Sequence, residues 1–386
     1  MREHQAMLTI LLRLAASLVL LASLVLTLLF AARPAHPRPL LSLIRFDRLA
    51  QGSSVWLLDR ERDRAFRLLS SEYLIYALWS PDGRFLAYTF AAPDGAALFI
   101  LDMQTGTQRQ IANVPDLLPV GWSPDARWLL LSGFSTDRLL YLANDPVTPT
   151  EPLYLATGTP DVVWSRDSRR LYLRDQAGTV GWLDVRCLEG IAPCIARPVP
   201  AEREVERLAG RMPDGETLMA LSGSRASGQP DLFSLDPETG DMELLLEYLL
   251  PGAPPVWSPD GEVLAASLAL PPSPEQLVWS EPIPGVYLVR PGGEARPQLL
   301  WTGIAGQLSW SPDGDRLVFE LISRVGNERS VWIYDMAAAT LETVTAPGRD
   351  EASPAWLTLR GRTFDAAPLL ALQAALVLAL WVTRRR

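Results

Sequence analysis

The chain contains no lysine: all 35 of its basic residues are arginine. That removes Schiff-base chemistry and the phosphate-cradling lysine of a P-loop. Histidine is almost as scarce. His4 and His36 are the only two, both near the N-terminus, which excludes a histidine metal centre or a Ser-His-Asp triad in the body of the chain. Two cysteines rule out a disulfide-dense miniprotein or a multi-zinc module. Charged residues are only 20% of the 386, against 48% apolar, so the composition is that of a chain with a sizeable core rather than a disordered one. A Gly-x-Ser-x-Gly nucleophile elbow is also missing, Gly223-Ser224-Arg225 being the nearest approach.

The net charge of −9 is unevenly spread. Residues 1–50 carry six Arg against Glu3 and Asp47, and residues 360–386 carry five Arg against Asp365, so the stretch between is strongly acidic. An acidic body repels a phosphate backbone, and nucleic acid is not an expected partner. The basic ends flank apolar runs. Leu14–Ala32 is 19 residues without a charge, bounded by Arg13 and Arg33, close to the length a helix needs to cross a hydrocarbon core of about 30 Å. A cleaved signal peptide is the competing reading, but Phe30-Ala31-Ala32 and Arg33-Pro34-Ala35 put bulky or charged residues where cleavage wants small ones. A second uncharged run, residues 366–383, ends in Trp381 and is followed by Arg384, Arg385 and Arg386. The expected domains are therefore a cytoplasmic tip and membrane anchor over 1–32, a Pro-rich stalk over 33–53, a folded body over 54–364, a second transmembrane helix over 366–383, and a basic cytoplasmic tail over 384–386. The body is expected outside the cytoplasm, at the cell membrane.

What fills the body is a repeat. WSPDG occurs at Trp79–Gly83, Trp257–Gly261 and Trp310–Gly314, with looser copies WSPDA at Trp122, WSRDS at Trp164 and RMPDG at Arg211. A seventh slot, Trp356, keeps the approach but loses the turn. Periods of 42 to 53 residues between slots indicate a propeller or solenoid. Each unit has strand chemistry: an apolar stretch ends at the tryptophan, Pro81 presets φ, Asp82 tolerates the next position, and Gly83 takes the positive φ that closes a hairpin. Arg84–Tyr88 then alternates as a strand, Ala97–Asp102 forms a third and Gln108–Ile111 a fourth. Ser, Asp and Gly recurring at every turn (Asp125, Asp167, Asp214, Gly215, Asp260, Gly261, Asp313, Gly314) are shape-makers, not catalysts.

WSPDG followed by an apolar strand, then a strand ending in Asp before Thr-Gly, resembles the TolB-type propeller repeats of bacterial envelope proteins. Those repeats are relatives of WD-type repeats and of the propellers that precede the hydrolase domain in prolyl oligopeptidase-like enzymes. The resemblance covers about residues 54–364 and implies an all-β propeller of four-stranded blades, with six blades in the TolB pattern. The sequence itself suggests seven. Ser54–Leu69 looks like the outer half of a unit and Ser353–Phe364 like the inner half, so the two termini would jointly build a closing blade and leave no open edge.

Candidate site residues are few. Segments leading into the slots are apolar apart from Asp161, Arg207 and Gln307, too few carboxylates for a calcium site in the channel, and no metal or cofactor is expected. Cys187 and Cys194 in RCLEGIAPC suit a disulfide outside the cytoplasm, with separate free thiols the alternative. The insertion 270–285 carries Trp279, Glu281 and Pro282 as a candidate partner-binding loop. The resulting expectation is a membrane-anchored, non-catalytic propeller that binds a protein or cell-envelope partner. A ligand-sensing propeller, or an accessory to a separately encoded peptidase or hydrolase, are the alternatives.

Overall fold

The structure, a computed structural model, describes residues between 38 and 359. Outside the described residues lie 1–37, 48–51, 93–94, 113–116, 134–138, 145–152, 158–160, 176, 190–194, 224–228, 251, 272–281, 293–295, 323–328 and 360–386. The expected membrane segments fall there; among the described residues no helix is long and apolar enough to cross a membrane.

The described chain is all β apart from one 3-10 turn, Val185–Glu189. It forms seven four-stranded antiparallel sheets. Six of them are built from four consecutive strands. The Trp79 blade, for example, runs Leu74–Trp79, Phe85–Ala92, Gly95–Asp102 and Thr107–Ala112. The seventh sheet is composite: the C-terminal strand Asp350–Leu359 is its inner strand, followed by Arg38–Asp47, Gly52–Asp59 and Arg64–Ser71.

This closing sheet differs from the expectation. Residues 54–69 do not pair with 353–364; Arg38–Asp47 lies between them, pairing Leu41 with Leu58 on one side and with Trp356 on the other. Half of the expected stalk is thus a central strand. Its run Leu40-Leu41-Ser42-Leu43-Ile44 is a short apolar stretch of the kind a strand covered on both faces requires, and Leu41 and Leu43 are fully buried. Pro39 is tolerated because pairing with Gly52–Asp59 begins only at Leu41, so its missing N–H is not called on there.

Apolar clusters sit between adjacent sheets, one per interface. Ile44 and Val55 of the closing sheet meet Ile75, Leu86 and Tyr88 of the Trp79 blade. On the other side Leu41 and Trp356 meet Val318, Val331 and Ile333 of the Trp310 blade. Five further clusters join the remaining neighbours in turn, and the ring closes. Two faces follow from the topology. The turn joining inner and second strands, WSPDG and its variants, lies on one face, where Arg38 pairs with Leu359. We call this the turn face. Connections between second and third strands, and from each outer strand to the next inner strand, lie on the opposite face.

Candidate functional site

The recurring serine and aspartate act on the backbone. Ser80 Oγ donates to Asp82 Oδ1 (2.6 Å) and accepts the N–H of Phe85 (2.8 Å), while Asp82 Oδ1 also accepts the Arg84 N–H (3.1 Å). The same set of bonds recurs at Ser123, Ser165, Ser258 and Ser311. In the RMPDG copy Met212 stands at the serine position, and Thr217 substitutes by donating to Asp214 Oδ2 (2.6 Å). The closing residue has φ of 69° at Gly83, 79° at Gly215, 76° at Gly261 and 79° at Gly314, and Ala126 (58°) and Ser168 (60°) are held in the same left-handed region. These residues build turns, as their spacing implies.

The slot tryptophans pack between sheets, and their indoles fall into two groups. Trp122 Nε1 donates to the Leu78 carbonyl (3.2 Å) and Trp310 Nε1 to that of Val256 (3.1 Å), in each case the residue preceding the tryptophan of the previous blade. In both donor-accepting blades the inner strand pairs with its neighbour without a register shift. Trp164, Trp257 and Trp356 each follow a blade whose inner pair is bulged, at Pro119/Gly121, Leu208/Gly210 and Ala305/Leu308. Their buried Nε1 groups have no partner among the described residues. A bulge rotates the local carbonyls, which accounts for the lost acceptor. Trp79 also follows a bulged pair, at Ser42/Ile44, and its Nε1 finds the Ser42 hydroxyl instead (2.9 Å).

The site that sequence reasoning missed is a cleft of about 680 Å³ in the closing sheet, on the face opposite the turns. Its walls come from both ends of the chain: Arg45–Asp47, Gly52–Ser54 and Trp56 from the N-terminal strands, Arg67 and Ser70–Glu72 from the outer strand, and Gly348–Asp350 from the approach to the last strand. The Arg45 guanidinium lies 4.2 Å from the centre of the Trp56 ring and pairs with the buried Glu351 carboxylate at 2.7 Å. Beside it Arg329 stacks on Phe46 at 3.9 Å and pairs with Asp350 at 3.2 Å. Buried carboxylates with bonded guanidiniums make a fixed floor, since removing either partner would strand a charge out of water. Glu320, also buried, accepts the Ser353 N–H at 2.8 Å where that residue turns to a φ of 53°; burial pushes its carboxyl above the usual range. Arg67, Arg349 and Glu72 line the cleft, are exposed, and have no side-chain partner among the described residues. Among the described residues the cleft thus offers two unpaired cations, one unpaired anion and an aromatic plane.

The other expected site residues are dispersed. Asp161 pairs with Arg207 at 3.5 Å and accepts the Leu208 N–H at 3.2 Å, tying two inner strands together; Gln307 lies on another inner strand. Cys187 is buried and disulfide-bonded, and the chain's other cysteine, Cys194, lies outside the described residues. Pro282 is exposed, while Trp279 and Glu281 lie outside the described residues. Among the described residues no group of three His, Cys, Asp or Glu is placed to hold a metal ion.

No family model matches the sequence, and no curated protein matches it. Solved structures do match at the level of fold. TolB from Acinetobacter baumannii aligns at 17% identity with a TM-score of 0.50, covering 82% of this chain and 66% of that one. The β-propeller domain of the trilobed protease from Pyrococcus furiosus, described as having an open velcro topology, aligns at 11% identity and a TM-score of 0.56, covering 81% and 95%. Oligogalacturonate lyase in complex with manganese aligns at 15% and 0.53, covering 77% and 90%. The chain therefore shares a propeller fold with TolB and with propellers of enzymes, and the fold alone does not choose between them.

Proposed function

We propose that this chain is a membrane-tethered recognition module, non-catalytic, whose propeller stands outside the cytoplasm and binds a protein or cell-envelope partner through the cleft face. The observation that carries this reading is the cleft, where a rigid floor of ion pairs and Trp56 presents the unpaired Arg67, Arg349 and Glu72. Oriented arginines beside an aromatic are the groups that dominate interface energies. The connection 270–283, which carries Trp279, joins a second strand to a third and so springs from the same face as the cleft. The described chain ends, Arg38 and Leu359, pair at the opposite end of the closing sheet.

The test uses tagged full-length chain recovered with its partners from solubilised envelope. Arg67→Glu/Arg349→Glu and Trp279→Ala are each compared with wild type and with Arg186→Glu, an exposed control on the turn face. Loss of the same partner in the first two variants and retention in the control is expected. Undiminished recovery with the Arg67/Arg349 variant discards the cleft as the binding site. Protease added to intact spheroplasts should digest the propeller; protection would place it in the cytoplasm.

A further inference from the structure

Two departures from the repeat, in successive blades, meet on the turn face. Where the repeat is regular, the turn proline of one blade lies against the turn glycine of the next: a Cβ on Gly261 would come 2.6 Å from Pro213, and one on Gly314 would come 3.6 Å from Pro259. The Trp164 blade has Arg166 in place of that proline. Its Cβ, Cγ and Cδ cover Gly215 in the same way, with an added Cβ meeting Arg166 Cδ at 2.6 Å. The next blade, in turn, has Arg211 where other blades have tryptophan.

Arg166 is exposed and Arg211 half-buried, and neither guanidinium has a hydrogen bond or ion pair among the described residues. The surrounding charges are otherwise engaged. Arg170 is bonded to Glu238, and Asp167 faces Arg169 at 3.9 Å. Burial, and after it the like charge of Arg166, push the Arg211 guanidinium below its usual range, while the Glu216 carboxylate acts the other way. A half-buried cation in the field of a second one, whose stem lies over the same turn at Gly215, is unfavourable without a bonded anion. Guanidinium forks match the oxygens of a phosphate, which accepts from both at once.

We propose that Arg166 and Arg211 form an anion site on the turn face that takes a phosphate group, clasped between the two guanidiniums. The phosphate is either that of a soluble compound or that of an anionic lipid headgroup, since the chain leaves the propeller on this same face at Arg38 and Leu359.

The experiment follows the thermal midpoint of the full chain in non-ionic detergent. Inorganic phosphate is titrated against sodium chloride of equal ionic strength, and in parallel phosphatidylglycerol is added to the micelles against phosphatidylcholine. A saturable rise of about 3–5 °C is expected in at least one series. A rise with inorganic phosphate indicates a soluble ligand, and a rise with phosphatidylglycerol alone indicates a headgroup. Arg166→Pro restores the regular turn residue and keeps the fold, and it should weaken the apparent affinity by about tenfold or more. Arg211→Gln should do the same. The proposal is overturned if wild type responds in neither series, or if Arg166→Pro responds undiminished.

Discussion

Trp122 and Trp164 offer a matched pair. Both are 7% exposed, both close an inner strand, and they occupy successive blades. They differ in the indole N–H: that of Trp122 reaches the Leu78 carbonyl, whereas that of Trp164 is buried without a partner beside the Pro119/Gly121 bulge. Replacement by phenylalanine removes comparable ring area at each site, about 1–2 kcal/mol of burial and packing. At Trp122 the change also deletes a hydrogen bond, adding about 1 kcal/mol. At Trp164 it deletes an unsatisfied donor, which returns about 1–3 kcal/mol. Trp122→Phe should therefore destabilise by roughly 2–3 kcal/mol, and Trp164→Phe should lie between about 1 kcal/mol less and about 2 kcal/mol more stable than wild type. The stacking of ring 122 on Phe85, now 6.0 Å between centroids, survives the change and does not favour either outcome. Guanidinium unfolding followed by far-ultraviolet circular dichroism, with both variants under one set of conditions, reads the difference. Equal losses at the two positions would refute the link between bulged inner strands and orphaned indoles.

Three further outcomes follow from the same contacts. Ser311→Ala removes the buried hydroxyl that bonds Asp313 and receives the Arg316 N–H in an otherwise exposed turn, and should lower stability by about 1–2 kcal/mol in the same assay. Glu320 binds its proton more readily when folded than at the unfolded value of 4.5, so its favourable contribution is complete below that pH and is lost as pH rises through the folded value. Glu320→Gln, which keeps an acceptor for the Ser353 N–H, should flatten the decline of the thermal midpoint above pH 4.5 and exceed wild type at pH 8; parallel curves would refute this assignment. Thiol titration of unreduced, denatured chain should find no free sulfhydryl, and reduction should cost about 2 kcal/mol for so short a loop.

How far the sequence carried the structure depends on whether the chemistry was local. Pro-Asp-Gly and its serine cap specify a hairpin within six residues, so each blade was legible wherever that string survived. Even the RMPDG copy kept its turn, though Thr217 as the replacement cap could not be foreseen from the spacing of the others. Closure was only half legible. The prolines at 34, 37 and 39 suggested a stalk and masked the apolar run that follows them, which becomes a strand only when Asp350–Leu359 arrives to pair with it. The cleft could not be read at all. Arg45 and Glu351 are 306 positions apart, and nothing near either announces the other. The same holds for Arg166 and Arg211: each looked like decay of a motif until the ring set one turn against the next.

The composite sheet also sets an order of events during synthesis. Strands Arg38–Asp47, Gly52–Asp59 and Arg64–Ser71 emerge first, yet their inner partner is the last strand to be made. Until it arrives, every intermediate leaves the inner edge of Arg38–Asp47 unpaired and the apolar face of the Trp310 blade partly uncovered, and six complete blades cannot cover them. A chain halted before Asp350 would stay sticky, a target for chaperones and proteases. Completion of the ring is thus a built-in check that translation passed the last strand.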